Sequence, residues 1–189
     1  MARPLSEEKR LTLIKATTEA VAAMGTGAST AKIATAAGVS EGTVFTYFTT
    51  KDELLNVVYL EIKRDLARAM FDKYPANAPL VDRARHVWNA YIGWGHAHPG
   101  KRGAMQQLVV SEKITGESRR LGMEMFAPVN QLLAENLGND PLRERAATFK
   151  GALMESAAAT TLEFIAKEPA AIDAYCEAGF AFFWSGLQH

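Results

Sequence analysis

Ser29-Thr30-Ala31-Lys32-Ile33-Ala34-Thr35-Ala36-Ala37-Gly38-Val39-Ser40-Glu41-Gly42-Thr43-Val44-Phe45-Thr46-Tyr47-Phe48-Thr49-Thr50-Lys51 is the stretch that decides the fold. Ser29 or Thr30 caps a short helix, because a hydroxyl oxygen there accepts from the free N–H groups of the first turn. Ile33, Ala34 and Ala37 form its apolar side, and Gly38 supplies the left-handed residue that ends it. Val39 plugs the gap to the next helix, and Ser40 caps that helix, Glu41 to Tyr47. Ile33, Ala34, Val39 and Val44 make a small shared core, and Phe45 and Phe48 are read as core as well. Glu41, Gly42, Thr43, Thr46 and Tyr47 stay open. This surface is small, hydroxyl-bearing and aromatic rather than rich in Lys and Glu, which suits close approach to a groove. Two short helices joined by such a turn are a helix-turn-helix, whose second helix enters the major groove of DNA.

Working outward, helix signals continue on both sides. Upstream, Ser6 precedes Glu7 and Glu8, an N-cap followed by acids suited to the positive end of a helix. Leu13, Thr17, Ala20, Val21 and Met24 then recur on one face until Gly25 and Gly27 stop the pattern. Downstream, Thr50 precedes a long helical pattern from about Lys51 to Lys73, with Leu54, Leu55, Val58, Leu60 and Ile62. Turn signals at Asn77–Pro79, His98–Gly100, Thr115–Gly116, Gly138–Pro141 and Glu168–Pro169 then separate helical stretches of about 79–97, 101–113, 117–137, 141–167 and 169–187. Strand evidence is confined to Val109-Val110, in a window that also reads as helix. The expected fold is all-α. Residues 1–51 are expected to form a three-helix DNA-binding domain with the helix-turn-helix, and residues 52–189 a larger helical domain for ligand binding and dimerisation.

The composition is compatible with that reading and removes others. The chain has 189 residues, of which 48% are hydrophobic, enough for a packed core without metal or disulfide. Its single cysteine rules out an intramolecular disulfide and a zinc site built on cysteines. No apolar run is long enough to span a membrane and the first residues lack an apolar signal core, so a soluble cytoplasmic protein without membrane partners is expected. The 21 basic and 21 acidic residues cancel. Residues 1–51 carry a net charge of only +2. Attraction to phosphate alone therefore cannot carry DNA binding; geometry, or two copies acting together, must contribute. Neither a Gly-x-Ser-x-Gly elbow nor a phosphate loop occurs, so no catalytic residue and no cofactor is expected. His96 and His98 are two apart and cannot share a helix face, so dipole-complementing imidazoles near a helix end are expected rather than a metal site.

The run Ile33 to Leu55, extended to about residues 8–58, resembles the DNA-binding domain of the tetracycline-repressor (TetR) family. The resemblance rests on the Gly38-Val39-Ser40 turn and on the trailing Phe48, Lys51 and Leu54. It implies a homodimeric transcriptional regulator released from its operator by a small ligand. Position by position it also implies that Thr43 touches a base or the adjacent phosphate, with Glu41 and Gly42 beside it facing the groove. Tyr47 is implied at a phosphate-or-base position, Lys51 at a phosphate, and Ser29 and Thr30 at the start of the helix that meets one. Ser40 and Thr46 complete the expected DNA-binding set. Two departures stand out. Phe45 occupies a position where many members have tyrosine, which removes a hydroxyl, and Ala31 one where some members have arginine. Base reading then rests almost entirely on the third helix.

The rest of the chain gives broader expectations. Trp88 and Tyr91 on the 79–97 stretch, with Met105, Met125 and Phe126, suit an adaptable pocket for a largely apolar or aromatic effector. Pro128 lies inside the 117–137 pattern and is expected to kink it. Glu155 either orients a polar group of the ligand or faces solvent. The resemblance implies that the last two stretches pair with their symmetry mates in a four-helix bundle. The small residues Ala157 and Gly179 would allow close approach there, with Thr161, Phe180 and Phe183 on the dimerisation faces. The expected function is a ligand-responsive repressor on an inverted-repeat operator. The competing expectation is an enzyme or carrier using the C-terminal helical cavity without specific DNA binding.

Overall fold

The computed structural model describes residues 6–135 and 145–187, so the turn expected at Gly138–Pro141 lies outside the described residues. All regular structure among the described residues is helical. The helices are α1 (Glu7–Met24), α2 (Thr30–Ala36), α3 (Glu41–Tyr47), α4 (Lys51–Phe71), α5 (Leu80–Ala97), α6 (Pro99–Val109), α7 (Gly116–Glu124), α8 (Ala127–Glu135), α9 (Ala146–Lys167) and α10 (Ile172–Leu187). They fall into two compact units, one of Met1–Arg64 with His98–Met123 and the other of Asp65–Ala97 with Glu124–His189. The division lies inside α4.

In the first unit the caps fall where the hydroxyl side chains stand. Ser6, Ser29 and Ser40 accept from the backbone N–H of Lys9, Lys32 and Thr43, the third helical residue in each case. Gly25 and Gly38 have φ of 70° and 67°, a conformation that costs other residues about 1–2 kcal/mol. The core holds Leu13, Val21, Ile33, Ala34, Val44, Phe48, Leu54, Leu55 and Val58, all buried. Residues 98–123 return to this unit, and α1 packs on α6 as well as on α2. Pro99 is not a break but the first residue of α6, where its missing N–H costs nothing. One side chain ties the α6–α7 connection down. The Asn56 amide donates to the Lys113 carbonyl at 2.8 Å and accepts from the Thr115 N–H at 2.9 Å. Lys113 also reaches the Asp52 carboxylate at 3.2 Å.

The second unit is built around Trp88. Its indole N–H donates to the Cys176 carbonyl at 2.9 Å, and its ring stacks on Phe183 at 5.8 Å and meets Phe180 edge-on at 6.4 Å. Phe180 and Phe183 are thus covered from within the unit, whereas the sequence places them on dimerisation faces. The single kinked helix expected over 117–137 is instead two helices, α7 and α8, broken at Met125-Phe126. Pro128 is the cause, but through position rather than kinking. It occupies the first turn of α8, where its N–H would have no acceptor anyway, and the Phe126 carbonyl starts the new helix by accepting from Val129 and Asn130. A guanidinium–carboxylate pair, Arg83 with Glu135, joins α5 to α8 and holds the Glu135 carboxyl below its ordinary range. No helix among the described residues is long and apolar enough to cross a membrane.

Candidate nucleic-acid interface

The open face of α3 is set by its packing on α2 and its tie to the start of α1. Val44 and Phe48, one turn apart, point into the core and are 1% and 2% exposed. Glu41, Gly42, Phe45 and Thr46 are exposed, and Thr43 and Tyr47 lie at the margins, half-buried. Phe45, expected in the core, is 47% exposed. It stands about 100° around the helix from Val44, beside the apolar side, so neither its spacing nor its residue type marks it as open.

The polar groups of this face are engaged locally. The Thr30 hydroxyl on α2 donates to the Glu41 carboxylate, which links the two helices of the motif across the turn. Ser40 and Thr43 hydroxyls share a hydrogen bond at 2.9 Å, and the Thr46 hydroxyl donates to the Gly42 carbonyl at 3.1 Å. The Tyr47 hydroxyl accepts from the Ser6 N–H at 3.0 Å, fixing α3 against the start of α1. Ser29 is an exposed N-cap. Lys51 is the first residue of α4, whose end is squared off by Thr50 accepting from the Glu53 N–H at 3.0 Å and Glu53 accepting from the Thr49 N–H at 2.7 Å. A lysine at a helix N-terminus adds a full charge to N–H groups that already favour an anion. Ser29, Thr30, Ser40, Glu41, Gly42, Thr43, Thr46, Tyr47 and Lys51 all belong to the first unit.

The remaining expected site residues are dispersed. Trp88 is fully buried core, Tyr91, Met125 and Phe126 are half-buried, and Glu155 is exposed, all in the second unit. Met105 is half-buried in the first. Around Phe126 the ring of Phe71 lies at 6.4 Å, Tyr74 meets Phe71 edge-on at 5.9 Å, and His86 meets Tyr74 at 5.8 Å. Nothing in the spacing of Phe71, Tyr74 and His86 separates them from ordinary helix residues, so sequence reasoning misses this cluster. Between α9 and α10 runs a groove of about 760 Å³ lined by Leu153, Ala157, Thr160, Gly179, Phe182 and Gly186, among others. Ala157 and Thr161, two of the expected dimerisation residues, border it, with Phe183 at its floor. Phe182, which sequence reasoning also misses, is 78% exposed at its edge. No group of three or more potential metal ligands occurs among the described residues.

Residues 13–58, which hold this interface, match the family model described as bacterial regulatory proteins, tetR family. A tetR family transcription regulator from Shewanella sp. PV-4 is 23% identical, with a TM-score of 0.82 over 94% of this chain and 97% of that one. A second, from Marinobacter aquaeolei VT8, is 20% identical, with a TM-score of 0.79 over 95% of each chain. FadR from Bacillus subtilis, solved in complex with stearoyl-CoA, is 18% identical, with a TM-score of 0.70 over 94% of this chain and 98% of that one. At these identities the solved structures speak to fold, whereas the family match falls on the helix-turn-helix and its flanks. The helix-turn-helix and its flanks, residues 13–58, are thus similar to the tetR family of bacterial regulatory proteins, and nearly the full length of the chain has the fold of these solved transcription regulators.

Proposed function

We propose that the protein is a cytoplasmic, ligand-responsive transcriptional repressor that binds an inverted-repeat operator as a homodimer and is released by a small effector. Residues 1–51 act on DNA, and residues 52–189 bind the effector and the second copy. The observation that carries this reading is the α2–turn–α3 pair with its rigidly held, open third-helix face. Thr43 works at a base or the neighbouring phosphate with Glu41 facing the groove beside it, while Lys51, Ser29 and Thr30 fix the register on the backbone. The groove between α9 and α10 favours the homodimer, because Leu153 and Phe182 are 51% and 78% exposed on either side of it. Apolar residues on adjacent helices are those a second copy would cover. The effector is largely apolar or aromatic, a reading supported by the Phe71, Tyr74 and Phe126 rings and by the stearoyl-CoA bound to the Bacillus subtilis FadR. Release follows from α4, which runs unbroken from Lys51 to Phe71. An effector that prefers one tilt of that helix by about 1–3 kcal/mol would change operator affinity by about 5–150-fold.

The test is selection of bound sequences from random DNA, followed by a screen of metabolites for release. Thr43→Ala should relax base preference. Lys51→Ala should weaken binding to all sequences and reduce the salt slope by about 0.9 log unit for each phosphate no longer neutralised. Recovery of no preferred sequence, or parental binding by both variants, would count against the proposal.

A further inference from the structure

The residues α3 lacks are as informative as those it carries. Its seven residues, Glu-Gly-Thr-Val-Phe-Thr-Tyr, include no Arg, Lys, Asn or Gln. Those are the side chains that make two-point hydrogen bonds to guanine and adenine edges in the major groove. The hydroxyls it does carry are held by intramolecular partners: Thr43 with Ser40, Thr46 with the Gly42 carbonyl, and Tyr47 with the Ser6 N–H. With its hydroxyl tied back onto the helix, Thr46 presents its methyl group to the open face.

Gly42, Phe45 and Thr46 stand at i, i+3 and i+4, so they form one contiguous patch. A Cβ placed on Gly42 would meet nothing nearer than the Ser40 Oγ at 4.0 Å. Packing does not demand a glycine there. Its effect is a flat gap between an exposed phenyl ring and a methyl group, through which the helix backbone can come close to base edges. The chemistry such a patch can recognise is itself apolar. In the major groove that means the C5-methyl of thymine, the one apolar group that a base edge displays.

We propose that this protein reads thymine methyl groups in its DNA site, taken up by Phe45 and Thr46 around the bare Gly42 backbone, beside the contact made by Thr43. The proposal rests on the operator-binding reading above and assigns the base class it recognises. Glu41, held by Thr30, adds at most a cytosine amino contact.

The test uses half-sites selected from random DNA with the full-length protein, in which each thymine is replaced singly by deoxyuridine. That exchange deletes one methyl group and leaves every hydrogen-bonding atom. Affinity should fall about fourfold at each methyl contacted, the change expected for burying one methyl-sized apolar group. Phe45→Ala and Thr46→Ser, both at exposed positions and the second retaining the hydroxyl, should each lose that thymine-over-uracil preference at one position. Selected half-sites without thymine, or equal affinity for the thymine and uracil forms, would overturn the proposal. So would a preference that survives both substitutions. Recovery of no preferred sequence at all would remove the operator-binding reading itself, and this one with it.

Discussion

Gly42 on α3 and Gly179 on α10 are the same residue in the middle of helical sequence, and they are small for opposite reasons. A Cβ on Gly42 would enter open space. On Gly179 it would lie 2.7 Å from the Trp88 ring and closer still to the Thr161 hydroxyl. The second glycine is therefore demanded by the interior of its own unit: α10 sits so near α9 and Trp88 that no side chain fits. The first is demanded by no packing inside the chain, and only the proposed groove contact gives it a reason. The close helix approach expected at Gly179 is met within one chain, before any second copy is considered.

This contrast can be broken by substitution. The largest effect belongs to the side chain that Gly179 makes room for. Trp88→Ala should cost about 3–5 kcal/mol, seen as an earlier urea midpoint, because it empties the site that Phe180 and Phe183 close. Gly179→Ala should destabilise by about 1–3 kcal/mol through overpacking, despite alanine's better helix propensity; an unchanged midpoint would mean that α10 has room to shift. Gly42→Ala should go the other way, raising stability by about 0.5–1 kcal/mol while lowering DNA affinity. A stabilised variant with parental DNA binding would show that the gap on α3 serves no partner. The smallest effect on folding is expected for Phe182→Glu, within about 0.5 kcal/mol, since that ring is open. In sedimentation the same variant should run as a monomer. Phe183→Glu cannot replace it, because Phe183 packs against Trp88 and its loss would report on folding as well as on association.

The two regions also differ in how much of them is legible in the sequence. Around α2 and α3 the structural logic is local. Serine caps, a left-handed glycine and an i, i+4 apolar pair act within four residues of one another, so residue type and spacing place the helices and most of the open face. Phe45 escapes, because an aromatic residue beside the Val44 side reads as core, and Thr43 and Tyr47 are half-buried where the sequence leaves them open. Elsewhere the determinants are distant in sequence. The Asn56 bonds to Lys113 and Thr115 bring residues 98–123 back to the first unit, and no periodicity records a bond between residues 57 or 59 positions apart. Pro128 is visible in the sequence but its role is not. A proline in a continuous apolar pattern reads as a kink, and only the Phe126 carbonyl, accepting from both Val129 and Asn130, identifies it as first-turn.

The central claim is that two copies of α3 read one symmetric site. Footprinting the full-length protein on DNA selected from random sequence tests it most directly. Two protected half-sites related by a dyad, with centres about 34–36 Å apart or a multiple of it, are the predicted result. Protection of a single site without dyad symmetry would contradict the account.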